Sequence, residues 1–392
     1  MNWETRISPY VNAIAPSGIR RFFDIAAEME GVVSLGVGEP DFVTPWHIRE
    51  SCVYGLEQGY TAYTSNHGLL ELREEIVKKV KREHDVDYCA KEEALVTVGV
   101  SEALDLALRA VLCPGDEILI PEPCYVSYKA CATLAGGVPI GVPTKIENEF
   151  RITPEELEPL VTPKTKALLI GYPNNPTGAI MTRADLERIA AFAEAHDLIV
   201  ISDEIYAQLS YGVKPVCFSS LPNMRERTIL LNGFSKAYAM TGWRIGYALA
   251  NPVFIAAMTK IHQYTMLCAP ITAQIAAVEA LRHGEKHMRK MVDEYDRRRR
   301  LILDGMRTIG LDCFEPKGAF YIFPSIKSTG LSSDAFAEQL LRSQRVALVP
   351  GTAFGDCGEG FVRCSYATSA AKISEALARI ESFVKKQKKT AV

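Results

Sequence analysis

Several familiar signatures are missing from this sequence of 392 residues, and each absence excludes a class of protein. The ten cysteines include no Cys-x-x-Cys pair, which argues against a disulfide framework and favours reduced thiols. The opening residues, MNWETRISPY, contain no apolar stretch of the kind found in a secretory signal. No apolar run approaches the roughly 18 residues that a membrane-spanning helix needs. We therefore expect a cytoplasmic protein with no membrane partner.

Charge of one sign is also scarce, since the formal net charge is only -3. A chain so close to neutral has no general attraction for nucleic acid. Four consecutive arginines at 297–300 suggest a DNA-binding regulator as a competing interpretation. Because Asp293, Glu294 and Asp296 flank the run, we predict a solvated helix face there instead. The chain also has no room for a separate helix-turn-helix module, so no nucleic-acid partner is expected.

The motifs of nucleotide and zinc sites are absent as well. There is no GxxxxGK[ST], and GVGEP at 36–40 is not GxGxxG and precedes no convincing helix. His283 and His287 lie four residues apart in HGEKH, but this is not HExxH, and Gly284 should break the helix between them. We expect neither a dinucleotide site nor a metal.

The sequence does contain a clear alternation of strand-like and helical patterns from about residue 93. Each strand candidate is a short run of apolar or β-branched residues: EALVTVG, DEILIPEP, KALLIGYP, DLIVISDE, RTILLNGFS and RIGYALA. Helical patterns follow several of them: SEALDLALRAVL, TRADLERIAAFAEAH and PITAQIAAVEALRH. Strands that alternate with helices predict an α/β fold with a mostly parallel sheet covered on both faces.

The pattern changes after about residue 285. A long charged helix leads into short strands at GAFYIFPSI, VALVP and GFVRCSY, which is typical of a smaller α+β domain. A chain of this length is also long enough for two domains. We predict a large α/β domain at 45–284 and a small α+β domain made of 1–44 and 285–392.

Polar residues follow several of the predicted strands, where ligands bind in open α/β sheets. Gly99, Val100 and Ser101 join a strand to a helix, which places free N–H groups where a phosphate could bind. Asp203 and Tyr206 follow another strand. Each feature has an ordinary structural explanation, as a tight turn, a helix cap or a surface ion pair.

Lys236 is a more specific indicator of chemistry than these features. It follows a strand, and none of the nine residues on either side is acidic. Desolvation would lower the pKa of such an amine and make it a nucleophile towards carbonyls, while Arg244 suits phosphate binding. An amine, an acid and a phosphate cup at one sheet edge together fit pyridoxal phosphate (PLP).

These residues occur in stretches that resemble the class I and II aminotransferases of the fold-type-I PLP superfamily. The matching stretches are SLGVGEPDFVTP, YTSNHGLLELRE, YPNNPTG, SDEIY, GFSKAYAMTGWRIGY, KGAFYIFP and VRCSYATS. The resemblance covers nearly the whole chain. It implies a large, mostly parallel seven-stranded sheet domain, a smaller α+β domain and a homodimer with the active site at its interface.

The resemblance also implies roles for residues around the cofactor ring. Lys236 would form the internal Schiff base and move the proton of the substrate α-carbon. Asp203 would pair with the protonated pyridine nitrogen. Tyr206 and Asn175 would hydrogen-bond the phenolic oxygen, and Tyr125 would stack on the ring.

The phosphate ligands implied by the resemblance are Arg244 and the backbone of Val100, Ser101 and Glu102, with the Ser101 hydroxyl. Many relatives have a serine three residues before the lysine as a further ligand. Gly233 occupies that position here. Ser235 or a backbone N–H would have to replace the missing hydroxyl.

For the substrate, the resemblance implies that Arg363 binds the α-carboxylate, with Gly38 and Asn175 beside it. Tyr63 would reach the phosphate of the partner subunit. A second substrate carboxylate would need another cation, and Arg20, Arg21 or a partner residue are the candidates. Tyr63, Tyr125 and Phe320 would tolerate aromatic substrates.

The expected function is therefore transfer of an α-amino group from an L-amino acid to a 2-oxo acid by a ping-pong mechanism. The donor would be aromatic or broad in range, with 2-oxoglutarate as acceptor. A PLP-dependent carbon–sulfur β-lyase is the alternative, since it would use the same residues.

Overall fold

The computed structural model describes Trp3, residues 6–15 and residues 29–390 of the chain. Arg20 and Arg21, the candidates for a second carboxylate, lie outside the described residues. The strands are β1 (Val33–Ser34), β2 (Ala94–Thr97), β3 (Glu117–Glu122), β4 (Val138–Pro143), β5 (Thr165–Ile170), β6 (Ile199–Asp203), β7 (Thr228–Gly233), β8 (Gly246–Leu249), β9 (Tyr321–Ile322), β10 (Val346–Ala347), β11 (Val349–Pro350) and β12 (Val362–Ser365).

The α-helices lie mostly between these strands. They are α1 (Pro9–Asn12), α2 (Trp46–Glu57), α3 (Leu70–His84), α4 (Gly99–Val111), α5 (Ser127–Leu134), α6 (Pro154–Leu157), α7 (Arg183–Ala195), α8 (Pro252–Thr265), α9 (Ile271–His283), α10 (Glu285–Ile309), α11 (Ser333–Gln344) and α12 (Ala370–Thr390). Within the described residues, no helix has both the length and the apolar composition that crossing a bilayer requires.

One large sheet has the strand order β2-β8-β7-β6-β5-β3-β4. β8 is antiparallel to β2 and β7, and the other neighbours are parallel. Each of the six strand runs predicted from the sequence forms one of these strands. β4 has no apolar run because its sequence, VPIGVP, contains two prolines and a glycine, which only an edge strand tolerates well. The predicted α/β class with a mostly parallel seven-stranded sheet is confirmed.

Helices cover both faces of this sheet, which explains its nearly continuous apolar strands. In β6, Val200 packs in a cluster with residues of α7, whereas the next residue, Ile201, packs with residues of α4 and α8 on the opposite face. Polar residues are therefore confined to the strand ends. Asp203 ends β6 beside Leu231 of β7, and Gly233 ends β7, so the turns after both strands open at one edge.

The smaller α+β part contains an antiparallel sheet in the order β11-β12-β9 together with α10, α11 and α12. β1 pairs in parallel with β10, so the described end of the N-terminal segment packs against the C-terminal part. Gly284 separates α9 from α10, as expected, and His283 and His287 therefore lie on different helices. The domain boundaries at residues 45 and 284 stay a prediction.

The four arginines of α10 do not form a solvated face, so that prediction is wrong for half of the run. Arg297 and Arg300 are exposed, but Arg298 and Arg299 are buried. Arg298 pairs with Asp41 and Glu294, and Arg299 pairs with Asp296 and Glu315. Four consecutive helical residues point around most of the helix, so two of them must face the protein.

Candidate active site

A cavity of about 520 Å³ opens at the carboxyl edge of the large sheet, between the sheet and the smaller part of the chain. All but two of the residues predicted for the site line it: Gly38, Val100, Ser101, Tyr125, Asn175, Asp203, Tyr206, Ser235, Lys236, Arg244 and Arg363. The exceptions are Glu102 and Tyr63. Tyr63 is 82% exposed on the surface of the single chain.

Lys236 enters the cavity from the turn that follows β7. Its Nζ donates a hydrogen bond to the Gly38 carbonyl at 2.8 Å. Burial lowers the pKa of Lys236 to about 8, Arg363 and Arg244 act in the same direction, and Glu39 opposes them. About a tenth of the amine is therefore uncharged at pH 7, far more than for an ordinary lysine, and the uncharged form is the nucleophile towards an aldehyde.

Asp203 lies on the opposite side of the cavity, where β6 ends. The Tyr128 hydroxyl donates to its Oδ2 at 2.9 Å, and the Ile205 N–H donates to its Oδ1 at 3.1 Å. Burial raises the pKa of Asp203 to about 6, although both hydrogen bonds and the charge of Lys236 lower it. Among the described residues, no cation lies within ion-pair distance of this carboxylate.

Tyr128 is a functional candidate that the sequence did not reveal. It lies on α5, three residues after Tyr125, and the two rings meet edge to face with centroids 5.6 Å apart. Its partner Asp203 is 75 residues further along the chain. The second tyrosine in PCYVSY carried no signal of its own, because only the tertiary structure brings the β3–β4 connection that contains it beside the end of β6.

Replacing Tyr128 by phenylalanine should shift the pH dependence of turnover. Without this donor the pKa of Asp203 rises further, so the carboxylate forms only at higher pH. We expect the acid limb of the kcat–pH profile to move to higher pH by about one unit. This shift corresponds to the free energy of one hydrogen bond to a charged group. Tyr172→Phe is the control, because it removes a different buried hydroxyl, bonded to the Phe150 carbonyl. An unchanged acid limb in Tyr128→Phe would contradict this role.

The phosphate end of the cavity is formed by the start of α4 and by Arg244. Gly99 begins the helix with φ +76°, and a Cβ there would lie 2.7 Å from Arg244 Nη2. Only glycine therefore allows the guanidinium to approach the free N–H groups of the first helical turn. Ser101 and Ser235 line the same region. These donors, a guanidinium and a positive helix end are suited to a phosphate dianion.

The Glu102 side chain does not take part in this phosphate cup. Its Oε2 accepts from the Val98 N–H at 2.5 Å, and its Oε1 lies 2.6 Å from His262 Nδ1. The phosphate role predicted for Glu102 is that of its backbone alone, and it stays a prediction. A carboxylate directed at a phosphate would be repelled, and its position behind the turn avoids this.

The crowding around Gly233 explains why no serine replaces it. A Cβ there would lie 3.0 Å from the Gly246 Cα and 3.0 Å from the Val100 Cγ2. A serine would need the strand ends to move apart. Ser235, which is buried beside the cavity, is the hydroxyl available in this chain.

Arg363 lies across the cavity from the phosphate cup, on β12. Its Nη1 donates to Asn175 Oδ1 at 2.9 Å and its Nη2 donates to the Gly36 carbonyl at 2.5 Å. Its Nε is buried without a hydrogen-bond partner. An unsatisfied charged donor at a cavity requires an acceptor, and a substrate carboxylate would provide one.

Tyr321, rather than Phe320, is the aromatic residue of this region that lines the cavity. Its ring lies 4.6 Å from the Arg363 guanidinium, and its hydroxyl is 2.9 Å from that of Tyr206. Phe320 is fully buried beneath Lys236. The expectation that Phe320 would meet an aromatic substrate is therefore wrong, because Phe320 lies in the turn before β9 and packs in the core, whereas Tyr321, the first residue of the strand, lines the cavity.

These observations test whether the residues fit PLP. The pyridinium N–H of the cofactor would supply the cationic partner that the buried Asp203 carboxylate lacks. The donors around Gly99 match a phosphate, and Lys236 lies between the two ends with a lowered pKa. The fold and this arrangement are those of a PLP-dependent enzyme.

Comparison with known proteins identifies the family. The family model described as aminotransferase class I and II matches residues 30–380. The chain is 53% identical to the putative aminotransferase YugH of Bacillus subtilis (strain 168), over 97% of this chain and 98% of that protein. It is 49% identical to the aspartate aminotransferase of Pyrococcus abyssi (strain GE5 / Orsay), over 98% and 100%. The crystal structure of the aromatic aminotransferase from Pyrococcus horikoshii OT3 aligns with a TM-score of 0.90 at 47% identity, over 94% and 99%.

The chain belongs to the class I and II aminotransferase family. It is a transaminase that uses pyridoxal phosphate, and its substrates are amino acids and 2-oxo acids. These relatives are named as aminotransferases, so the alternative of a carbon–sulfur lyase finds no support in them.

Proposed function

We propose that the cavity is the active site of this aminotransferase and that the residues predicted for it have the roles given above. One observation carries the proposal. The amine of Lys236, the acid of Asp203, the phosphate cup at Gly99 and the guanidinium of Arg363 surround a single cavity. These are the four groups that transamination on PLP requires.

When bound, PLP acts as an electron sink for the electrons left at the substrate α-carbon. Lys236 Nζ would accept the α-proton, which its pKa of about 8 allows at physiological pH. Asp203 would keep the ring nitrogen protonated. Asn175 would donate to the phenolic oxygen through its amide N–H groups, because its oxygen is held by Arg363. Tyr206 would be the second donor.

Arg363 would orient the substrate through its α-carboxylate. Its contacts with Asn175, Gly36 and the Tyr321 ring fix the guanidinium before a substrate arrives. The carboxylate is common to both amino acids and both 2-oxo acids of a transamination. One site can therefore bind all of them in turn, which is what a ping-pong mechanism requires.

We further propose that the donor is aromatic or broad in range, with 2-oxoglutarate as acceptor. The rings of Tyr125 and Tyr321 line the cavity. The cations that line it, among the described residues, are Lys236, Arg244 and Arg363, and each already has a role. The second carboxylate of 2-oxoglutarate would have to meet a group outside this set, in the undescribed segment or in a partner subunit.

A panel of amino acids and 2-oxo acids tests this specificity, read by the absorbance of the bound cofactor. We expect phenylalanine and tyrosine to react with kcat/KM values within about tenfold of that for aspartate, or above it, because an apolar pocket discriminates only weakly. 2-Oxoglutarate should regenerate the starting absorbance faster than pyruvate. A preference for aspartate over both aromatic donors by more than about 100-fold would contradict the proposal.

The enzyme is proposed to be a homodimer in the cytoplasm. Tyr54, Tyr63 and Tyr264 are each more than half exposed, which is unusual for large aromatic residues and supports a covered surface. Tyr63 would reach the phosphate in the partner subunit. All ten cysteines are free, which fits a reducing compartment.

A further inference from the structure

The backbone of one irregular segment contacts both cations on the substrate side of the cavity. We call residues 36–42 the substrate loop. Its Gly36 carbonyl accepts from Arg363 Nη2, and its Gly38 carbonyl accepts from Lys236 Nζ. The loop has no helical or strand hydrogen bonds to hold it. Its position, and with it the direction of Arg363, must therefore be fixed by side-chain contacts.

A buried arginine of α10 provides one of these contacts. Arg298 Nη1 donates to Asp41 Oδ1 of the substrate loop at 2.8 Å, and its Nε donates to Glu294 Oε1 at 3.0 Å. The guanidinium also lies 5.1 Å from the centre of the Phe42 ring. Only 6% of Arg298 is exposed. A guanidinium so buried stays where its carboxylate partners are, so the pair ties the loop to α10.

Aromatic packing forms a second connection between Arg298 and the cavity. The Phe42 ring packs edge to face on Tyr295, with centroids 5.3 Å apart, and Tyr295 packs on Phe320 at 5.6 Å. Phe320 in turn lies 5.7 Å from Lys236 Nζ. Closely packed rings transmit small displacements, because no free volume absorbs them. A shift of the Asp41 end of the loop would therefore displace the guanidinium of Arg363 and the amine of Lys236.

Three of the predicted cofactor ligands have no described contact with Arg298, Asp41 or Phe42. Asp203, Ser101 and Arg244 belong to the large sheet and the turns at its edge. The substrate loop and the residues after it are also tied to the lysine turn, through Glu39 with Thr241 and through Thr44, whose hydroxyl donates to the Ala239 carbonyl at 2.6 Å. Loss of the Arg298 contact should thus move the carboxylate-binding side and leave the cofactor side in place.

We propose that Arg298 is a positioning residue for substrate binding, acting through Asp41 and the substrate loop on Arg363. The proposal rests on the proposed role of Arg363 as the ligand of the substrate α-carboxylate. It gives a functional role to Arg298, a buried member of the arginine run that has no contact with the predicted cofactor residues. Arg298 itself does not touch the substrate.

The test is Asp41→Ala in the PLP-loaded enzyme. The variant should fold, because the Asp41 side chain is 30% exposed and Arg298 keeps its pair with Glu294. We expect KM for both the amino acid and the 2-oxo acid to rise about tenfold, with kcat changed much less, as for a small misplacement of a binding group. The affinity for 3-phenylpropionate, a carboxylate without an amino group, should fall by the same factor. The dissociation constant of PLP should stay within about twofold.

Three further variants distinguish a positioning role from a general structural role and test the role of Arg363 separately. Arg300→Met removes a neighbouring arginine that is 61% exposed and pairs only with Asp296 among the contacts described for it, so it should behave as the parent. Asp41→Glu keeps the negative charge and should restore most of the affinity for 3-phenylpropionate. Arg363→Lys should weaken 3-phenylpropionate binding directly.

Unchanged KM values in Asp41→Ala would overturn the proposal, and so would an equal effect of Arg300→Met. A parallel loss of PLP affinity would also overturn it, because the pair would then have only a general structural role. If Arg363→Lys leaves 3-phenylpropionate binding intact, the proposed function fails. If Arg363→Lys weakens binding while Asp41→Ala does not, only the present inference fails.

Discussion

Replacing Lys236 by alanine should abolish transamination, with kcat falling by about 10⁴-fold, the upper range for loss of a proton-transfer group. The variant also loses the amine that joins the cofactor covalently. PLP should then bind without the visible absorbance of the lysine-linked form, and borohydride reduction should leave no cofactor attached to the peptide around residue 236. In the parent apoenzyme, the rate of covalent PLP capture should rise with pH through about 8, because the amine loses its proton there.

Lys164→Ala is the matched control for this experiment. Lys164 is exposed and precedes β5, so it lies at the opposite edge of the same sheet. Its removal should change neither the absorbance nor kcat. A lysine-linked spectrum that persists in Lys236→Ala would show that another amine is the nucleophile, and the assignment of Lys236 would be wrong.

Replacing Asp203 by asparagine should lower kcat by about 10³-fold, with a much smaller change in KM, as for loss of one group that stabilises charge in the transition state. The amide has the shape of the carboxylate and can still accept from Tyr128. It has no negative charge to keep the ring nitrogen protonated, and that proton matters most when the α-carbon releases its electrons. Single-turnover measurements should show the loss in the proton-transfer step.

Glu204→Gln is the control for Asp203→Asn because the two carboxylates are adjacent and both buried. Glu204 points away from the cavity, where Ser202 Oγ and the Phe218 N–H donate to it at 3.0 and 2.9 Å. Burial raises the pKa of Glu204 to about 7, so an amide mimics a form that is already populated near neutral pH. Equal losses in both variants would mean that any change at this strand end disturbs the fold, and would contradict a specific role for Asp203.

Much of the site could be predicted from local sequence. Lys236, Asp203 and the turn at Gly99 each follow a strand whose apolar run is evident, and strand ends meet at one edge of a parallel sheet. The resemblance to aminotransferases added residues that no local pattern indicates, such as Arg363. The side chains of Tyr128 and Tyr321 were missed because their contacts join segments far apart in the chain.

The error at Phe320 has a simple geometric cause. Phe320 and Tyr321 are consecutive, but Phe320 lies in the turn before β9 and Tyr321 begins the strand, so their side chains point in different directions. A prediction that is wrong by one residue therefore places the wrong ring in the cavity. Which of the two faces is the inner one depends on how β9 pairs with β12, where Tyr321 lies beside Ser365.

The sequence by itself determined six of the seven strands of the large sheet, their succession along the chain, and the chemistry available at the strand ends, because these depend on apolar periodicity and on neighbouring residues. Only the tertiary structure supplied the acidic partner, distant in the chain, of one buried arginine in the run of four. Arg298 meets Asp41 across 257 positions of the chain, whereas Arg297 meets solvent and Glu294 one turn away. The apolar residues Met291, Tyr295 and Ile302 already place positions 298 and 299 on the packed face of α10, but the partner of Arg298 depends on long-range packing.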